Sequence, residues 1–183
     1  GADGSEWWGS RGNGLCIDGR WYTEGTDEHS LGSNQVFELY RDRKDRMWIA
    51  TFGGGLNLAV PSAEGYVFRK FLRHSNNQQQ VRSILEDTDG WMWVGTSAGL
   101  CVFRPDDLIE HPDHFICYDY AGGDLPGDVV KCILQDSKGR VWLATSGTGF
   151  SCCIPDGDYR HLRFRHYGVE DGLVNCMVQS IVE

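Results

Sequence analysis

Apolar and polar positions along the chain fall into short runs separated by turn residues, and the runs recur. Around VRSILED (81–87) and VKCILQD (130–136), β-branched and apolar residues fill a stretch of buried-strand length. Each is followed by an Asp-x-x-Gly turn, DTDG or DSKG, then by WMWVGT or RVWLAT and a Gly-rich turn. Asp can accept hydrogen bonds from the turn's own amides, and Gly tolerates the positive φ of a tight hairpin. A third strand follows at GLCVFR or GLNLAV, and a fourth at YVFRKFL, FICYDY and LRFRHY. No segment keeps a helical period, so the unit reads as a four-stranded antiparallel meander.

Aligned on tryptophan, four hairpins match: EWWGSRGNGL, MWIATFGGGL, MWVGTSAGL and VWLATSGTGF. The anchors Trp7, Trp48, Trp93 and Trp142 lie 41, 45 and 49 residues apart. Asp42, Asp87 and Asp136 precede the last three by six residues, while Gly4, Asp45, Gly90 and Gly139 precede the four by three. A turn before each first strand also repeats, at 31–36, 125–130 and 173–178, with a weaker copy at 76–81; its polar residue (Asn34, Asp128) is expected to cap it. A small sheet cannot bury both faces alone, so copies must stack, and four strands in about 45 residues is the pattern of a β-propeller blade. A β-helical solenoid is the alternative. The expected fold is all-β, a single propeller segment over 1–183 with approximate repeats 1–41, 42–86, 87–135 and 136–183.

The composite L-x-x-N-x-V-x-x-I-x-x-D-x-x-G-x-x-W-[VIL]-[GA]-T-x-x-G-L resembles the two-component regulator propeller repeat. Asp87, Gly90, Trp93, Val94, Gly95, Thr96, Gly99 and Leu100 fit it position by position. The other copies depart at Asp45 and Ala50, at Ala144 and Phe150, and at Glu6 and Ser10. The resemblance implies the periplasmic sensor of a membrane-bound, often hybrid, histidine kinase of Bacteroidetes type. The resemblance also implies an oligosaccharide or other small ligand, since many such sensors recognise oligosaccharides, and the parent receptor is expected to form a homodimer. Gly1 takes the place of the first Asp and the chain stops at Val182-Glu183 in the same turn, so four periods of a longer array are expected. Apolar blade faces near Trp7 and Val174–Val182 would then be covered by neighbouring blades or by another copy.

Composition narrows the partners. A net charge of −9, from 26 acidic and 17 basic residues without a Lys/Arg cluster, argues against nucleic acid or an anionic membrane surface. Apolar runs are too short to span a bilayer. Seven cysteines show no metal-ligand spacing, and they read as small fillers; of the adjacent Cys152 and Cys153, one is expected to face the core. Neither cofactor nor metal is called for.

Candidate chemistry divides between repeated and variable positions. Asp42, Asp87 and Asp136 could be general acids, but one per repeat in a hairpin turn argues for structure. DTDG lacks the remaining ligands of a calcium loop. A sialidase-like or other propeller glycosidase is the alternative function, since the Asp-box spacing differs by one residue. The anchor tryptophans are expected to pack between blades; Trp8, Trp21 and Trp91, outside the repeat, are better placed to meet a ligand. No Ser-His-Asp arrangement can be assembled from His29, His74, His161 or His166. A ligand site should use positions where repeats differ, on the face shared by the blade-to-blade turn and the turn between second and third strands. Those positions are Arg11, Asn13, Asn34, Gln35, Phe52, Gln78, Gln79, Ser97, Asp128 and Thr148. The function expected is extracytoplasmic ligand sensing without catalysis, with purely structural or dimerising blades as the other non-enzymatic reading.

Overall fold

The computed structural model describes residues 4–183. Each strand pairs with its neighbour in the chain, giving a succession of meanders. The first sheet has three strands, β1 (Trp7–Gly9), β2 (Leu15–Ile17) and β3 (Arg20–Tyr22). The second is β4 (Val36–Arg41), β5 (Met47–Thr51), β6 (Gly55–Ser62) and β7 (Gly65–Phe71). The third is β8 (Val81–Glu86), β9 (Met92–Thr96), β10 (Gly99–Phe103) and β11 (Ile116–Tyr118). The fourth is β12 (Val130–Gln135), β13 (Val141–Thr145), β14 (Gly149–Cys153) and β15 (Phe164–Tyr167). Gly1, expected in the place of the first repeat's Asp, lies outside the described residues.

The chain forms two compact units, residues 1–82 and 83–183. In the first, Leu15, Tyr22, Leu31, Val36, Ile49 and Phe68 make one apolar cluster. Trp7 packs at its edge, its ring 5.0 Å from that of Tyr66 in an edge-on contact. In the second unit Trp93, Leu100 and Val102 of the third sheet pack with Val130, Ile133 and Leu143 of the fourth. Trp93 thus fills the space between successive blades, as its place in the repeat predicts. Every residue of β9 and β10 is buried, which is why these strands read as unbroken apolar runs instead of alternating ones.

Two local devices repeat. At the Gly-rich turn the threonine hydroxyl of the [GA]-T pair donates to a glycine carbonyl: Thr51 to Gly55 at 2.7 Å, Thr96 to Gly99 at 3.0 Å, Thr145 to Gly149 at 2.9 Å. Gly99 is obligatory there, because its φ is +101° and a Cβ would collide with the Tyr118 carbonyl oxygen on the outer strand. At the Asp-x-x-Gly turn the carboxylate does more than cap. Asp87 Oδ1 accepts the Asp89 and Trp91 amides, both at 2.9 Å, while Oδ2 accepts the Trp93 indole N–H at 2.7 Å. Asp42 and Asp136 repeat this, binding the indoles of Trp48 and Trp142 at 2.9 Å each. The glycine three before the anchor has positive φ, and Asp45 adopts it too, at +63°.

Several expectations need correction. Trp48 and Trp93 are 0% exposed, but Trp7 and Trp142 are only half-buried. Trp7 has no described aspartate to meet, and its indole donates to Ser5 Oγ at 2.8 Å. Of the adjacent cysteines, Cys153 lies in the apolar cluster of the second unit, as expected, and Cys152 is buried as well. A short helix, α1 (Pro105–Glu110), interrupts the third repeat between β10 and β11. Only Pro105 and Leu108 of it are buried, too few to produce a period, and proline at its start with Asp106 and Asp107 in the first turn suits a helix N-terminus.

Replacing Asp87 by alanine strands a buried indole N–H and the turn amides, so we expect a loss of about 3 kcal/mol or more in denaturant unfolding. Trp93→Phe, which keeps an aromatic ring but no donor, should cost about 1–3 kcal/mol. A loss within measurement error for Asp87→Ala would contradict the structural role. A pH dependence follows at Asp136. Desolvation pushes its carboxyl up, but the hydrogen bonds from Trp142, Arg140 and Lys138 outweigh it, and the net pKa lies below the ordinary aspartate value. The folded pKa is depressed, so its stabilisation is present above the unfolded value of about 3.9 and drains away as pH falls toward the lower folded value. The stability gap between wild type and Asp136→Asn should hold steady near neutrality and shrink on acidification below about pH 4; a gap that widens would refute the assignment.

Candidate functional site

The blade-to-blade linkers and the turns between second and third strands meet along one edge of each unit. Gly12 and Gly14 amides donate to the Asn34 carbonyl at 3.1 and 3.0 Å, and Val36 N–H returns a bond to Ser10 at 2.8 Å. Phe52 N–H reaches the Gln35 carbonyl, and Gly53 and Gly55 amides share the Gln79 carbonyl, all at 2.9 Å. In the second unit Gly99 N–H donates to Asp128 at 2.6 Å, Ser146 to Val129 at 2.9 Å and Gly149 to Cys176 at 3.0 Å. Each linker is therefore held by backbone bonds to the turns beside it, and the variable side chains project from a common frame.

Some of the expected ligand residues spend their polar atoms inside that frame. Asn34 Oδ1 accepts the Glu24 amide at 2.7 Å, and Asp128 Oδ1 accepts that of Tyr120 at 2.8 Å, so each ties its turn back to the start of the same linker instead of capping the turn's own amides. Buried Gln78 accepts the His74 amide at 3.1 Å, and Thr148 donates to Thr145 Oγ1 at 2.8 Å. Ser97 is buried, and Gln79 Nε2 donates to the Arg73 carbonyl at 3.3 Å. Asn13 and Gln35 are exposed at the edge.

Arg11 and Phe52 come together through two residues that the sequence did not single out. The Arg11 guanidinium lies 4.4 Å from the Phe37 ring centroid. Phe37 stacks on Phe52, centroids 5.3 Å apart and planes 20° apart, and the Arg82 guanidinium sits 5.0 Å from the Phe52 centroid. Phe37 reaches this place because the β4–β5 register shifts between Val36 and Glu38. Both rings are half-buried and Arg11 is exposed. Partial burial, and then the charge of Arg11, lower the pKa of Arg82. Two guanidiniums and two stacked rings offer forked N–H donors beside apolar faces, the combination that binds a planar anionic or polyhydroxylated group. A signal for Phe37 and Arg82 was available: the residue after the linker valine differs in every repeat, being Phe37, Arg82, Lys131 and Gln179.

The tryptophans outside the repeat separate. Trp8 and Trp21 are exposed, while Trp91 stacks on Tyr159 at 4.3 Å with the planes 10° apart. Tyr159 in turn donates to Asp87 Oδ2 at 2.7 Å and Asp89 Oδ2 at 2.9 Å. Burial first, and then the bond to Asp87, raise the pKa of this phenol, so it stays a donor. Next to it a cavity of about 510 Å³ is lined by Trp91, Arg104, Asp107, His114, Ile116 and Arg160. The cavity rests on the connector between β10 and β11, whose presence the longer spacing from Trp93 to Trp142 reflects.

Asp42, Asp87 and Asp136 are not arranged as acids. In each, one oxygen holds the turn amides and the other holds an indole plus one further donor: Arg46, Tyr159 or Arg140.

Comparison with known proteins is consistent with this architecture. The extracellular domain assigned to the hybrid two component system BT3049 of B. thetaiotaomicron aligns at a TM-score of 0.74 with 24% identity, over 98% of this chain and 23% of its own. The corresponding domain of BT4673 from the same organism gives 0.69 and 23% identity, over 88% and 23%. PorZ, a surface component of the type-IX secretion system of Porphyromonas gingivalis, gives 0.67 at 13% identity, over 100% and 28%. The chain thus spans about a quarter of the length of the solved structures it matches, and these likenesses establish the fold. No curated protein matches the chain. The two component regulator propeller family matches residues 30–53, 75–98 and 124–147, each match running from the linker turn through the anchor tryptophan. These three segments are two-component regulator propeller repeats.

Proposed function

We propose that the chain is part of the extracytoplasmic, ligand-sensing region of a two-component sensor kinase and lies in the periplasm. Its ligand, on this reading, is an oligosaccharide received at the edge where Arg11, Phe37, Phe52 and Arg82 stack. The repeats themselves and the extracellular domains with the same fold support the sensor role. No helix among the described residues is long and apolar enough to cross a membrane, so transmission of the signal is assigned to the rest of the receptor.

The observation that carries the reading is the pairing of two guanidiniums with two half-buried phenylalanines on a rigid frame of backbone bonds. A sugar ring offers an apolar face to aromatic carbon and a rim of oxygens to the guanidiniums. The segment is not itself the catalyst on this account, because the repeated aspartates are committed to turns and indoles. A purely structural role has one observation in its favour, the use of the Asn34, Gln78, Asp128 and Thr148 side chains in internal hydrogen bonds.

Calorimetric titration of the complete receptor ectodomain with a panel of neutral and anionic glycan oligosaccharides separates the readings. Binding by one member should weaken roughly tenfold, about 1.4 kcal/mol, in Arg11→Ala or Phe52→Ala with the fold intact. Undiminished binding in the double variant would move the site elsewhere and leave these blades structural. Hydrolysis of a reporter glycoside by the segment would overturn the non-catalytic reading.

A further inference from the structure

Each four-stranded sheet has a cross-strand pair at the third residue of its third strand. In the second sheet it is Asn57 opposite Lys70, and in the fourth Ser151 opposite His166, where the serine hydroxyl and His166 Nδ1 are 2.9 Å apart. In the third sheet the same site holds Cys101 on β10 directly opposite Cys117 on β11, with their sulfurs 3.2 Å apart. Cys101 is 1% exposed, whereas Cys117 is open to solvent.

We propose that Cys101 and Cys117 form a disulfide that pins β11 to β10. Directly opposed residues of an antiparallel pair have Cα atoms about 4.5–5.5 Å apart, inside the range of about 4.4–6.8 Å that a disulfide spans. Side-chain rotation alone can close the remaining distance between the sulfurs. The place also needs a staple. β11 has three residues, against seven in β7, and it follows the excursion through α1. The bond would close a loop between residues 16 apart in sequence, restricting the unfolded chain.

The other cysteines lack this combination. Cys152 and Cys153 are buried neighbours on one strand and point to opposite faces of the sheet, and burial pushes the Cys153 thiol up to about 12, far from thiolate chemistry. Exposed Cys117 is the natural point of entry. Its thiolate attacks the disulfide of an oxidant, a disulfide-form oxidoreductase or oxidised glutathione, and expels one thiolate. Cys101 then attacks the Cys117 sulfur of the mixed disulfide and expels the second. Two thiols give up two protons and two electrons, and the oxidant's disulfide becomes two thiols.

The test uses the purified chain treated with oxidised glutathione, capped with iodoacetamide and digested without reductant. The expected result is one linked peptide pair containing Cys101 and Cys117, lighter by two hydrogens than the thiol forms and separated by dithiothreitol. Prior alkylation of native protein at Cys117 should abolish the link, as should Cys117→Ser, while Cys132→Ser should leave it intact. Recovery of Cys117 only as a glutathione adduct or an intermolecular dimer, with Cys101 still alkylatable after denaturation, would overturn the proposal. The readout is covalent and involves no ligand, so it stands or falls apart from the sensing role.

Discussion

In three of the repeats one aspartate carboxylate joins a turn to a tryptophan six residues away, and the rest of each blade is arranged around that bond. One oxygen ties down the hairpin's amides, so the second strand leaves the first in a fixed register. The other oxygen holds the indole N–H, which could not otherwise be buried without cost. A large ring can then fill the space between blades without leaving a polar atom unsatisfied. The remaining acceptor position is where repeats differ: Arg46 and Arg140 occupy it in two blades, and Tyr159 in the third, where Trp91 stands in the arginine's place.

The opposite edge is organised by backbone bonds together with short polar side chains. Threonine hydroxyls close the Gly-rich turns, and turn amides bond the linkers on either side. Such a frame places few demands on the side chains that project from it. It explains why Arg11, Phe37, Phe52 and Arg82 can vary from repeat to repeat and still be positioned as a stack.

The fold was legible because the residues that make it are repeated: Asp, Gly and Trp at fixed offsets need only a period to be seen. The aspartate's bond to the indole was not foreseen, since spacing of six along a hairpin does not reveal which side chains share a face until the turn is built. The helix α1 escaped because its polarity hides any period. Asn34 and Asp128, expected both as caps and as ligands, each use a side-chain oxygen to hold an amide ten or eight residues upstream, a contact that a turn motif does not reveal. Phe37 and Arg82 carry no turn signal because they lie on strands, and at Phe37 a bulge brings the strand residue to the same edge.

Amide and indole hydrogen exchange measured by nuclear magnetic resonance would test the central claim directly. Trp142 is the decisive residue, because its ring is half-buried while its N–H is bonded to Asp136 at 2.9 Å. The Trp142 indole proton should exchange slowly, like those of Trp48 and Trp93, while those of exposed Trp8 and Trp21 exchange quickly. A Trp142 indole proton that exchanged as fast as those of Trp8 and Trp21 would show that burial alone, and not the carboxylate, holds these rings.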